Sequence, residues 1–188
     1  MIYLHPIILY QSLPLPAYDE PLIRVLGLVK DWWESKGYYL GIGAIKKMPS
    51  QGIDLSAENP WAEVRWKVDY YITLGPEHKA FAFLQGWNRQ DAIGWGADPL
   101  ALVGEYTLSR MLTHGTPEGI IDDNPAGGLI GHEIGHVLGF GHAMTPAPCI
   151  MWEWWKGLSH CLAPYSTARL LSAQGTHLCP SAPKGETP

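Results

Sequence analysis

Residues 132–142 have the sequence HEIGHVLGFGH. His132 and His136 are four residues apart, which on a helix places both imidazoles on one face, about one turn apart. At that separation two ring nitrogens can reach one zinc ion at about 2.0–2.1 Å. Gly139 can adopt a left-handed conformation and end the helix, so that the chain turns back and offers His142 as a third ligand. Three protein ligands leave one position open, which is typical of a catalytic rather than a structural zinc site.

Glu133 follows the first of these ligands and is rotated about 100° around the helix from it. In that direction its carboxylate faces the open coordination position. A metal-activated water can lose its proton to such a carboxylate, which then passes the proton to the leaving amine. The sequence therefore predicts one catalytic Zn²⁺ and Glu133 as the general base. The alternative is a catalytically silent zinc-binding protein on the same fold, although a purely structural site has no need of Glu133.

The spacing of these residues resembles the signature of the metzincins, HExxHxxGxxH followed by a methionine turn. Metzincins are zinc endopeptidases, so the resemblance implies hydrolysis of peptide bonds in a protein or peptide substrate. Met151 lies nine residues after His142, and the resemblance implies that its side chain forms an apolar floor under the three imidazoles. Met144 is the competing candidate, but it lies too close to His142 for the intervening loop. A thermolysin-type site with a Glu as third ligand is disfavoured by Gly139 and His142.

Within the metzincins the chain looks most like the matrixin branch in the order of its elements. It departs from that branch because Met151 is followed by Trp152 instead of Tyr-Pro. Glu153 stands where astacins and serralysins have a tyrosine ligand, so no fifth ligand is expected there. Cys149 lies two residues before Met151, as a cysteine does in the archaemetzincins, but the further cysteine pairs of that branch are missing.

The predicted fold class is α+β: a metzincin-like, mixed twisted sheet of four to five strands with a backing helix, an active-site helix and a small C-terminal subdomain ending in a helix. Apolar residues recur at helical spacing between Asp19, the expected N-cap, and Gly37. One catalytic domain is expected over 1–188, divided into an N-terminal subdomain (1–139) and a C-terminal subdomain (140–188). Strands are expected at 1–10, 38–45, 64–74, 80–84 and 101–108, loops at 49–60 and 86–99, and the last helix at 164–173.

The resemblance also implies a position for the substrate cleft. In the family, the strand before the active-site helix forms the upper rim, and an extended peptide pairs with it through main-chain hydrogen bonds. Trp152 begins an aromatic segment that either walls the pocket beyond the scissile bond or packs under the last helix. The residues assigned to the cleft are Leu102, Val103, Gly104, Glu105 and Trp152.

The composition excludes two classes of partner. The formal net charge is −5, and Lys and Arg are not clustered. A nucleic-acid surface and a polybasic membrane anchor both need clustered positive charge. No stretch is long and apolar enough to span a bilayer. We therefore expect a monomer that acts on proteins or peptides and binds neither nucleic acid nor a membrane.

The compartment stays open at this stage. The family expectation is an extracellular enzyme, since most such proteases are exported. Residues 1–10 are apolar, but they lack a basic n-region and a cleavage site and are interrupted by Pro6, so they do not read as a signal peptide.

Two further features are weaker signals. Asp122 and Asp123 precede the active-site helix and offer hard oxygen ligands, so a Ca²⁺ ion is conceivable there, but a solvated turn is the favoured interpretation. Cys149, Cys161 and Cys179 are an odd number of cysteines, and their pairing is left open.

Overall fold

The computed structural model of the chain describes residues 1–13, 18–87, 94–104, 126–142 and Met151. This part has a mixed α/β fold with six strands and three helices. No helix within these ranges is long and apolar enough to cross a membrane. In chain order the elements are β1 (Ile2–Tyr10), α1 (Asp19–Ser35), β2 (Leu40–Ile42), β3 (Lys46–Pro49), α2 (Trp61–Tyr71), β4 (His78–Leu84), β5 (Gly94–Ala97), β6 (Leu100–Gly104) and α3 (Ala126–Val137).

The strands form one sheet in the order β2-β1-β4-β6-β5. β4 lies along one edge of β1, while β2 and β3 pair with the two ends of its other edge. Every pair is parallel except the last, because β5 runs antiparallel to β6. Among the described strands, β5 is therefore the outer strand at the end of the sheet beside β6.

Both faces of the sheet are covered, which explains why its central strands are almost continuously apolar. Successive residues of a strand point to opposite faces. One set packs with α1 and α3, and the alternate set packs with α2. The first set includes Leu4, Ile8, Phe81, Phe83 and Val103; the second includes Ile7, Leu9, Ala82, Leu84 and Leu102.

The predicted helix after Asp19 is confirmed as α1. Its buried side chains recur three and four residues apart, so they form one apolar face, which ends in the fully buried Trp33. Gly37 follows the helix with a φ of +87°, as a glycine after a C-terminus commonly does. The N-cap is Tyr18 rather than Asp19. The Asp19 carboxylate instead accepts a hydrogen bond from Nζ of Lys47 at 2.6 Å.

The prediction of a strand at 64–74 is wrong, because most of that segment is the helix α2. Val64 and Val68 are the buried residues of this helix, and their spacing of four places both on the face toward the sheet. Arg65 and Asp69, also four apart, form an ion pair at 2.6 Å on the surface. The Val, Tyr and Ile content favoured a strand locally, but packing of one helical face against the sheet prevails.

Other boundaries also differ from the prediction. The strand expected at 38–45 is shorter and comprises only β2, the separate strand β3 begins just beyond it at Lys46, and the loop expected at 86–99 contains β5. With these additions the sheet has six strands rather than four to five. The strands expected at 1–10, 80–84 and 101–104 are confirmed. The rest of the last strand (105–108), the helix expected at 164–173 and nearly all of the C-terminal subdomain lie outside the described residues.

Candidate metal centre

The helix α3 carries the signature and is fixed by an apolar face. Ile130, Ile134 and Val137 are buried and pack in the cluster formed with α1 and the sheet. Their spacing of four and three residues leaves the histidine positions on a different side of the helix. Nε1 of Trp33 donates a hydrogen bond to the Gly131 carbonyl at 3.1 Å, in a buried position. α1 therefore holds the helix at the residue immediately before the first histidine.

The three predicted ligands converge on one point. Nε2 of His136 lies 3.1 Å from Nε2 of His132 and 3.1 Å from Nε2 of His142. A tetrahedral zinc ion with bonds of about 2.0–2.1 Å keeps its ligand atoms about 3.3 Å apart. The spacing of the nitrogens thus fits a single ion. Within the described ranges, no other three His, Cys, Asp or Glu side chains come together in this way.

The turn after α3 returns the third histidine to the helix. Gly139 has a φ of +89°, so the predicted left-handed residue is confirmed. Its N–H donates to the carbonyl of His136 at 3.0 Å, and the N–H of Phe140 donates to the carbonyl of Gly135 at 2.9 Å. These two bonds form a Schellman motif, which reverses the chain direction within a few residues. His142 reaches His136 because of this reversal.

The same turn orients His136, the central one of the three predicted ligands. Nδ1 of His136 lies 2.8 Å from the carbonyl oxygen of Phe140. A carbonyl oxygen only accepts, so Nδ1 carries the proton and the lone pair of Nε2 points to the metal position. Burial lowers the pKa of His136 to about 4, against the opposing effect of the Phe140 hydrogen bond and with a further lowering by His142. The imidazole is therefore neutral near pH 7, as a ligand must be.

Glu133 is buried against β5. Its residue surface is only 5% exposed, and Oε2 has no hydrogen-bond partner among the described residues. An ideal Cβ placed on Gly94 would lie 2.5 Å from Oε1, and one on Gly96 would lie 2.8 Å from Oε2. Burial raises the pKa of Glu133 to about 8. A buried carboxyl group is costly for stability, and a strongly shifted pKa is typical of functional sites.

Met151 lies in the apolar cluster of α1 and α3 and is fully buried. It packs against the helix at Gly135, where an added Cβ would collide with Sδ of Met151. The same Cβ would lie 3.1 Å from the ring of Trp33. Met151 is therefore next to the helix that carries His132 and His136. That it forms a floor under the imidazoles stays a prediction.

The predicted rim of the substrate cleft is wrong for Leu102 and Val103. Both lie in β6, which pairs with β4 on one side and with β5 on the other. Their main-chain hydrogen-bonding groups are thus engaged on both edges, so an extended peptide cannot pair with them. Gly104 pairs with Leu84 of β4, and an added Cβ there would collide with the main chain of Trp87.

Several predicted residues lie outside the described part of the chain. They are Glu105 and Trp152 of the cleft, Asp122 and Asp123 of the conceivable calcium site, and Cys149, Cys161 and Cys179.

Sequence reasoning missed four residues that surround the centre. Trp33 and Phe140 stack with ring centroids 5.5 Å apart, and each contacts the signature helix or its turn. No local pattern identifies such contacts. The sequence did contain a signal for Gly94 and Gly96, because alternating glycines around Trp95 indicate a strand that another backbone approaches closely. The glycine content was instead interpreted as a loop.

Comparison with known proteins supports the fold and little else. No protein-family profile matches the chain, and no curated protein matches it. The chain is similar to the crystal structure of an archaemetzincin from Methanopyrus kandleri, with a TM-score of 0.51, 16% identity and coverage of 80% of each chain. A chain from a chaperone–substrate complex aligns with a TM-score of 0.47, 11% identity, 77% of this chain and 24% of that one, which is too distant to define a shared fold.

The fold is therefore similar to that of an archaemetzincin. At 16% identity the similarity concerns the fold alone. It lends no support to the matrixin branch, which the order of the predicted elements had favoured.

Proposed function

We propose that this chain is a zinc-dependent endopeptidase of the metzincin type. The proposal is based on the convergence of three histidine nitrogens, with Nε2 of His136 3.1 Å from Nε2 of both His132 and His142, beside the buried Glu133. The archaemetzincin-like fold agrees with it, since the metzincins are zinc peptidases. The proposed substrate is an unfolded protein or a peptide, and the proposed state is a monomer that binds neither nucleic acid nor a membrane.

His132, His136 and His142 would hold the metal. Three imidazoles without a thiolate are a donor set of catalytic zinc sites, and the nitrogen spacing fits one such ion. Zinc bound there would supply Lewis acidity, polarising the scissile carbonyl and lowering the pKa of a water to about 7. The hydrogen bond from His136 to the Phe140 carbonyl would hold the central ligand in the required tautomer.

Glu133 would move the proton. As the water oxygen attacks the carbonyl carbon, Glu133 takes a proton from that water. When the C–N bond breaks, Glu133 gives the proton to the leaving nitrogen, and the carboxylate is regenerated. Burial under β5 keeps this carboxyl group away from competing water, and a pKa shifted toward the working pH suits a group that is first base and then acid.

A catalytically silent zinc-binding protein is the second candidate. One observation favours it: Glu133 is covered by β5, and its raised pKa leaves the carboxyl group largely protonated near pH 7 in the metal-free protein. A protonated glutamate cannot accept a proton from water. This second candidate predicts stoichiometric zinc without turnover.

Casein cleavage and zinc content together test the proposal. We expect the wild-type chain to cleave casein, to stop when zinc is chelated and to recover when zinc is returned. His142→Ala should lose both zinc and cleavage, whereas His78→Ala, an exposed histidine outside the centre, should retain both. Zinc retained by His142→Ala would point to a different third ligand, and zinc-loaded wild-type protein without cleavage would favour the silent binder.

A further inference from the structure

The strand β5 presents two glycines to the signature helix. Its sequence is GWGA, and alternate residues of a strand point to the same face. Gly94 and Gly96 therefore face α3, while Trp95 points to the opposite face and packs with the apolar cluster around α2. Helix and strand approach closely because neither glycine has a side chain on the facing surface.

Gly94 lies directly against the side chain of Glu133. The three atoms nearest to an ideal Cβ on Gly94 are Oε1 at 2.5 Å, Cδ at 2.8 Å and Cγ at 2.9 Å, all of Glu133. Carbon atoms do not approach one another this closely without a shift. A methyl group at Gly94 and the carboxyl group of Glu133 in its present place thus exclude each other.

Gly96 meets different atoms. An ideal Cβ there would lie 2.7 Å from Cβ of His136 and 2.8 Å from both the main-chain oxygen and Oε2 of Glu133. The first two atoms are fixed parts of the helix, so no rotation of a side chain can make room. Gly96 therefore sets the distance between strand and helix, whereas the three atoms nearest to a Cβ on Gly94 all belong to the side chain of Glu133.

The carboxyl group that occupies this slot is buried. Glu133 is 5% exposed, and its Oε2 has no hydrogen-bond partner within the described residues. No hydrogen bond from a described residue therefore holds Oε2 in place. The shape of the slot restricts which rotamers the side chain can adopt.

We propose that Gly94 is the positioning residue of the general base: the missing side chain at 94 creates the slot that holds the Glu133 carboxyl group in its working orientation. This inference rests on the proposed peptidase function. The three nearest neighbours of a Cβ on Gly94 all belong to Glu133 and none belongs to a predicted ligand, so Gly94 acts through Glu133.

Gly94→Ala should lower kcat about a hundredfold, the effect expected for a displacement of a reacting group by about 1 Å. KM and zinc content should stay close to those of the wild type, because the ligands are not touched. The matched control is Gly27→Ala in α1, where an added Cβ meets nothing within 4 Å and kcat should not change. Wild-type kcat in Gly94→Ala would overturn the proposal.

A shorter acid distinguishes positioning from general damage. Glu133→Asp shortens the side chain but keeps Cγ, which lies 2.9 Å from the added Cβ, so adding Gly94→Ala to this variant should cost less activity than it costs the wild type. Gly96→Ala should cost the same in the wild type and in Glu133→Asp, because its closest contacts include the main chain of Glu133 and Cβ of His136. A loss from Gly94→Ala that is equally large in the wild type and in Glu133→Asp would contradict the assigned role.

If Gly94→Ala alone does not fold, the stability of a double variant measures the same coupling between residues 94 and 133. Glu133→Ala removes all three atoms nearest to the added Cβ. The double variant Glu133→Ala, Gly94→Ala should then fold and melt close to Glu133→Ala alone. A double variant that still fails to fold would show that Gly94 serves the strand itself. This measurement of stability does not depend on catalysis. If the wild-type chain is inactive, the peptidase proposal is refuted, but the contact between Gly94 and Glu133 can still be tested.

Discussion

At the scale of single residues, the environment of Glu133 decides what the centre can do. The carboxyl group has an ordinary pKa of 4.5 and a folded value of about 8, raised by burial. Between these values the folded chain keeps a proton that the unfolded chain has lost. Since stability rises with pH only where the unfolded state binds more protons, the metal-free protein must lose stability as the pH rises through this window.

The free energy of unfolding of the metal-free protein should therefore fall from near pH 5 to near pH 8, by at most about 1.4 kcal/mol per pH unit from this group. Glu133→Gln, which cannot titrate, should lack this contribution. Urea unfolding of both chains at the two pH values measures the difference. Parallel pH profiles for the two proteins would mean that the carboxyl group is hydrated in solution.

The three histidines that converge at the centre could be predicted at this scale, but their surroundings could not. His132 and His136 follow from helical geometry, and Gly139 from the need for a left-handed residue, which are local properties. The tautomer of His136 depends on the carbonyl of Phe140, and the burial of Glu133 depends on β5. An eleven-residue sequence pattern contains no information about main-chain contacts or about strands that are distant in the sequence.

At the scale of elements, α1 fixes the signature helix through Trp33. Trp33→Phe keeps most of the ring but removes the Nε1 donor, leaving the buried Gly131 carbonyl without that partner. We expect a loss of about 1–3 kcal/mol in the free energy of unfolding. Trp66→Phe is the control, because Trp66 is 74% exposed and the change should stay within about 0.5 kcal/mol. Urea unfolding of the two variants is the measurement. Equal free energies of unfolding for Trp33→Phe and Trp66→Phe would contradict an anchoring role for Trp33.

The contact between Gly135 and Met151 joins the helix to the segment that follows it. Gly135→Ala should cost about 1–3 kcal/mol by overpacking, because the new methyl group collides with Sδ of Met151. Met151→Ala should cost about 2–5 kcal/mol by leaving a cavity. The double variant should be more stable than the sum of the two losses predicts, since each change relieves the other. Strict additivity in urea unfolding would show that the two residues do not meet.

Element type was predictable where the hydrophobic period was long and clean. The apolar face of α1 has a clear period of three to four residues, and β1 and β4 are apolar runs rich in residues that favour strands. α2 was misread because Tyr70, Tyr71 and Ile72 have high strand propensity, although Val64 and Val68 recur at helical spacing. β5 was missed because two of its four residues are glycines, which strands disfavour unless a neighbour must come close.

At the scale of the whole molecule, the centre lies between the sheet and the elements around it. α3 and its turn carry the three histidines, β5 covers Glu133, and α1 fixes the helix from the side. The fold that places these parts is similar to that of an archaemetzincin despite 16% identity. The prediction of a metzincin-like α+β fold came from one short motif and the order of elements, and the arrangement of the six strands could not be read from either.

Because the three predicted ligands come from a helix and the turn after it, zinc should stabilise the folded chain and not the unfolded one. Free zinc at about a hundred times its Kd should add about 2.7 kcal/mol to the free energy of unfolding. Thermal unfolding with and without a chelator should show the corresponding fall in Tm, and His142→Ala should melt at the same temperature in both. A wild-type Tm that is the same with and without the chelator would contradict metal binding at this centre.

Casein cleavage by the wild-type chain and by Glu133→Ala, compared at equal, verified zinc content, tests whether the centre is a peptidase with Glu133 as its base. Glu133 is not one of the three predicted ligands, so its removal should leave zinc bound while turnover disappears. Cleavage by the wild type alone is the result we predict. Equal cleavage by the two proteins would contradict Glu133 as the base, and no cleavage by either at full zinc content would contradict the peptidase.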